Sequence, residues 1–140
     1  MPNLNTKDLY FKTIGTDTNT TWTGKFVVKL SLSPRDILTV DKLYREYIGN
    51  TNGTPPSDQA IYYAYMLSQL GVRLAEKPPW WTEGQNGLDL QDSNLLEEVW
   101  KSVAELIEAY QKDSSEKAEA AKGVIKKTVE REEKETGLTG

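Results

Sequence analysis

Hydrophobic and polar positions split the chain into a front third with strand character and a helical remainder. Residues 9–14, from Leu9 through Tyr10 and Phe11 to Ile14, are rich in aromatic and β-branched side chains and predict a short strand. A polar loop follows, and residues 22–30 alternate imperfectly from Trp22 to Leu30, predicting a second strand and an antiparallel hairpin with a long connection. A two-stranded hairpin is marginal alone and needs helices over one face. The rest of the chain supplies them.

Ser33, Pro34 and Asp36 form a helix start: Ser33 caps, Pro34 loses nothing by lacking an N–H, and Asp36 faces the positive end of the dipole. Ile37, Val40, Leu43/Tyr44 and Tyr47/Ile48 recur at helical spacing, and Gly49 ends the run. Residues 50–56 are a turn-rich linker. The segment 57–76 is apolar around much of its circumference and predicts a central helix, with Gly71 bending it or admitting a close neighbour. Tyr62, Tyr63 and Tyr65 are expected in or near the core, with some hydroxyls reaching water.

Pro78, Pro79, Trp80 and Trp81 then interrupt the pattern, because proline removes a backbone donor and clashes with the preceding turn. They predict an extended, rigid plug between two helices. Asp92, Ser93 and Asn94 are candidate caps for the next helix, 94–112. Its apolar stripe is regular: Leu95/Leu96, Val99/Trp100, Val103, Leu106/Ile107 and Tyr110. From 113 to 135 Lys, Glu, Ala, Ser and Arg dominate. Ala118, Ala121, Ile125 and Val129 leave a thin apolar line along a helix of roughly 35 Å, and residues 137–140 are expected to fray. The expected fold is α+β and mainly α: an N-terminal β-hairpin, three packed helices and a long charged C-terminal helix. The division is a globular domain over 1–112 and a charged helical or partly disordered extension over 113–140.

Composition narrows the chemistry. The chain has 140 residues and a formal net charge of −4, which disfavours a nucleic-acid partner. No apolar run is long enough for a membrane span, and the N-terminus lacks the basic-then-apolar pattern of an export signal. Cysteine and histidine are both absent, which removes disulfides, thiolate metal sites and the usual proton shuttle near pH 7. No phosphate-binding or calcium-binding loop is present. Glu97 and Glu98, adjacent on a helix, point about 100° apart and do not face each other. The chain is therefore expected to be no enzyme and to need no cofactor or metal.

Two features suggest binding. Trp80 and Trp81 carry a large apolar payload on a rigid corner, suited either to internal packing or to anchoring a partner. The charged tail is either a solvated helix or an assembly arm whose Ala118, Ala121, Ile125 and Val129 seam is completed by another chain, including a second copy.

The stretch from Leu74 to Tyr110 (apolar helix, Pro78-Pro79-Trp80-Trp81, polar loop, then Asn94-Leu95-Leu96-Glu97-Glu98-Val99-Trp100) resembles the tail assembly chaperones of long-tailed bacteriophages. Gly24 to Leu30 and Ser33-Pro34-Arg35-Asp36 resemble the upstream layout of that family, so the likeness covers roughly residues 22–112. The resemblance implies a non-enzymatic protein of the host cell cytoplasm that binds the tape measure protein, tail-tube subunits or both during tail morphogenesis. On that resemblance Trp80, Trp81, Trp100 and Tyr110 are expected either to build the client groove or to support it, while Ile125 and Val129, in the tail beyond the likeness, are expected to contact a partner through the apolar seam. The competing expectation is a structural component of the virion, in the capsid, neck or tail.

Overall fold

The aromatic, β-branched front of the chain does form strands, the first longer than its sequence signal and the second shifted from it by one residue. In the computed structural model, β1 (Thr6–Ile14) and β2 (Thr21–Lys29) pair antiparallel, from Thr6 opposite Lys29 to Ile14 opposite Thr21. The structure describes residues 5–49 and 53–135, and the side chains only as far as Val124. Positions 50–52 of the expected linker, the end at 136–140 and the side chains of Ile125 and Val129 lie outside the described residues. Alternation sends Phe11, Phe26 and Val28 to the inner face, at 5%, 0% and 0% exposure, and Tyr10 and Lys12 outward.

Helix α1 (Pro34–Ile48) starts on the expected capping box: the Asp36 amide donates to Ser33 Oγ and the Ser33 amide to the Asp36 carboxylate. Lys29 Nζ lies 3.1 Å from both Asp36 oxygens, fastening α1 to the end of β2. The Ser33 amide first, and the Lys29 ammonium next, hold the Asp36 carboxyl below the usual carboxylate range. Gly49, at φ 69°, ends the helix as expected.

Helix α2 (Asp58–Arg73) is central and buries Ala64, Met66, Leu67 and Leu70. Gly71 admits its neighbour: a Cβ there would sit 3.2 Å from Leu43 of α1. The tyrosines differ from expectation. Tyr62, Tyr63 and Tyr65 are 40%, 40% and 45% exposed, because Ala64, Met66, Leu67 and Leu70 occupy the inward stripe and leave the tyrosines the other faces.

The helix also stops earlier than expected. Leu74–Glu76 leaves it as a third strand, β3, pairing antiparallel with β2 to give the order β1-β2-β3. The expected hairpin is therefore a three-stranded antiparallel sheet, and the α+β, mainly α class stands. Arg73 makes the exit. Nearly buried, it donates through Nη1 to the carbonyls of Lys29 and Leu30 and through Nε to Gln69. Burial pulls its guanidinium below the usual value.

Short helix α3 (Pro79–Glu83) and a 3₁₀ turn (Gln85–Gly87) lead to α4 (Leu95–Glu135), which buries Leu95, Val99 and Val103 completely. The chain falls into two compact units, 1–106 and 107–140, divided within α4. In the second unit the expected seam residues Ala118 and Ala121 are exposed, and among 111–124 only Ser114 is even half-buried. Among the described residues no helix is long and apolar enough to cross a membrane.

Asp92 and Asn94 spend their side chains elsewhere, and Ser93 joins them through its backbone amide. Asp92, 1% exposed, accepts from the amides of Asp17 and Thr18, from Thr18 Oγ1 and from Trp22 Nε1, all at 2.7–2.8 Å. In return Asp17 Oδ2 accepts from the Ser93 amide. Asn94 accepts from the Thr16 amide and donates to the Ile14 carbonyl. The β1–β2 loop is thus clamped to the start of α4. Gly15 leaves the room for it, since a Cβ there would fall 2.1 Å from the Asp92 carboxyl. Burial opposes the charge on Asp92, but the donors from Thr18, Trp22 and Asp17 outweigh it and hold the carboxyl below the usual range.

An amide at position 92 offers one acceptor oxygen where four donors converge. Asp92→Asn is expected to lower the thermal midpoint at pH 7 by roughly 5–10 °C. Because the folded-state pKa is depressed, this stabilisation is present above the unfolded value of about 3.9 and lost as pH falls through the folded one. Thermal melts from pH 7 to pH 2 should show the gap between wild type and variant closing at the acid end.

Candidate partner-binding groove

The tryptophan corner is built from small residues that let large ones approach. Gly24 of β2 receives Pro78, whose ring carbons would lie 2.6–2.7 Å from a Cβ at that position. Pro79 then begins a helix rather than preventing one, because the first helical position needs no N–H. The expected extended plug is therefore one short turn of helix, with the Trp81 amide donating to the Pro78 carbonyl.

Both rings turn inward over the sheet. Trp81 is 1% exposed and meets Phe26 edge to face at 5.7 Å. Trp80 is half-buried, packs against Trp22 at 5.3 Å and Phe11 at 6.0 Å, and donates its indole N–H to the Thr23 carbonyl. Gly87 closes the corner at φ 103°, where a Cβ would approach Leu67 and Trp81 to 3.0 Å.

The Trp81 ring lies wholly in the core, so of the two expected roles, forming the client surface or supporting it, only the second is open to it. Trp80 keeps one edge near solvent, but its polar atom is held by the protein's own backbone. The two rings are together, 6.2 Å apart, whereas Trp100 meets Tyr65 edge to face at 5.4 Å. Tyr110 is half-buried in the second unit. Ile125 and Val129 lie on the α4 backbone, but their side chains are outside the described residues.

A different surface gathers apolar side chains toward solvent. Tyr47 from the last turn of α1, Tyr63 and Leu67 from α2, Leu88 and Leu90 from the segment before α4, and Leu96 from its first turn line an open groove of about 380 Å³. Tyr47, Tyr63 and Leu88 are 37%, 40% and 55% exposed. Asp92 and Ser93 border the groove, so the clamp that fixes the β1–β2 loop also fixes one groove wall. The sequence signal for this surface is Leu88 and Leu90: two leucines in a polar loop have no local partner. Among the described residues no three carboxylates converge as metal ligands would. Chemically the groove offers apolar contact and tyrosine hydroxyls, which suits recognition of apolar side chains.

Two substitutions separate the roles of the paired rings. Trp81→Ala empties a sealed site and is expected to cost about 3–5 kcal/mol, a large part of the roughly 5–15 kcal/mol that holds a domain together. Trp80→Ala should cost less, and urea denaturation followed by circular dichroism measures both. The chain matches no family model, no curated protein and no solved structure.

Proposed function

We propose that this chain is a non-enzymatic binding protein of phage tail assembly, and that its groove receives apolar side chains from a helical segment of the tape measure protein. The observation that carries this reading is the solvent-open groove with Tyr47, Tyr63 and Leu88 on its walls. An amphipathic helix recognises such a groove through anchors spaced three and four residues apart. Tyrosine suits this work because it offers a large rigid surface and a polar tip.

The resemblance over residues 22–112 supplies the class of client: a long helical rod that must be kept from aggregating while tube subunits polymerise around it. Tail-tube protein is the second client on that reading, and the host cell cytoplasm the place of action. The anchoring residues are those of the groove, with Trp80 and Trp81 holding its supporting corner from within.

The test is co-purification of the full chain with tape measure protein and with tail-tube protein. Co-elution with tape measure protein is expected, and Tyr63→Arg and Leu88→Arg should each weaken it about tenfold or more. Both positions are exposed, so the melting temperature should stay within a few degrees of wild type. Failure to co-elute with either protein would sink the reading. Stoichiometric presence of the chain in purified particles, read by mass spectrometry, would replace it with a structural role in the virion.

A further inference from the structure

Strand β1 is an edge of the sheet, and among the described residues no strand lies on its other side. Which of its backbone groups face outward follows from the ladder. In an antiparallel pair, opposed residues alternate between exchanging two hydrogen bonds and exchanging none. At the two ends of the β1–β2 ladder, Leu30 N donates to the Asn5 carbonyl and Gly15 N to the Thr20 carbonyl. Pairing between these ends is continuous. The odd-numbered residues of β1 therefore bond to β2, and Asp8, Tyr10 and Lys12 aim N–H and C=O away from it. The outward carbonyl of Ile14 obeys the same parity and is already taken, by Asn94 Nδ2. The free edge is thus short and bounded at its C-terminal end.

Edge strands usually carry charges that discourage pairing with another copy. Here the charges are arranged the other way. Asp8 stands two residues before Tyr10 and Lys12 two residues after it, so the strand is self-complementary about Tyr10. We propose that β1 pairs antiparallel with β1 of a second copy of this chain, the two-fold axis passing at Tyr10. Asp8 of each copy then faces Lys12 of the other, and Tyr10 faces Tyr10. These three facing positions are the ones whose backbone groups point outward, so each exchanges two hydrogen bonds.

Charge also selects this register. A two-fold at residue 8 sets Asp8 against Asp8, and one at residue 12 sets Lys12 against Lys12, which like-charge repulsion disfavours. On the inner face the same register brings half-buried Leu9 opposite Phe11 of the second copy, so the apolar surface continues from one sheet to the other. Tyr10, 77% exposed as a monomer, gains a neighbour. The existing contact of Asp8 with Lys25, 3.5 Å and half exposed, is weak competition.

Sedimentation equilibrium of the full chain, from about 5 to 500 μM at low salt, tests this. A reversible dimer is expected. Asp8→Lys and Lys12→Asp should each weaken it on the order of tenfold, and the double variant carrying both should restore it, because the facing charges are then exchanged in both copies. Tyr10→Pro should abolish it with unchanged circular dichroism, since the N–H it removes faces away from β2. A chain that stays monomeric throughout, or a dimer indifferent to both single swaps, overturns the proposal. So does a dimer that the double variant fails to restore while its thermal midpoint matches wild type.

Discussion

A carboxylate removed from water and given four donors is the constraint around which this fold is arranged. Asp92 takes all four from residues 17–22, so the β1–β2 loop and the approach to α4 are fixed by one group. A buried carboxylate is costly unless its oxygens are well satisfied, and this one is. Its neighbours extend the clamp in both directions: Asp17 returns a bond to Ser93, and Asn94 bridges Thr16 and Ile14. The third donor class, the Trp22 indole, links the clamp to the aromatic cluster. Through Trp22 and Trp80 the polar and apolar anchors of the fold become one contact network.

Helix α1 stands at the other extreme. No residue of it is fully buried, and it is held by half-buried Val40, Leu43 and Ile48, by the close approach at Gly71 and by the Lys29–Asp36 pair. Elements with little buried apolar surface open at lower free energy than the rest. Since α1 contributes Tyr47, the groove has one wall clamped by Asp92 and one supplied by the least anchored helix.

Much of this was legible in the residues. The Ser33–Asp36 capping box, the Gly49 stop, the room at Gly71 and the stripe from Leu95 to Val103 each rest on local chemistry, which sequence carries. What escaped rests on distant partners. Leu74, Ala75 and Glu76 read as helix because they are good helix formers, and only the free edge of β2 makes them a strand. Asp92, Ser93 and Asn94 read as caps because those residue types before a helix usually are, while their actual partners lie 70–80 positions away. Nothing in the local sequence marks Arg73, and only the carbonyls of Lys29 and Leu30 give it its work. The groove was missed for the same reason, being assembled from four segments that no local pattern brings together.

That separation also sets an order of events during synthesis. The turn that Asp92 holds is complete by Trp22, but Asp92 itself is added 70 residues later. At about 5–20 residues per second the ribosome takes roughly 4–14 s to cover that interval. The nascent hairpin lacks its clamp for that whole interval, and until residues 74–76 are made it also lacks β3 on its second edge, so both its edges wait open while the chain that closes one of them is still being made.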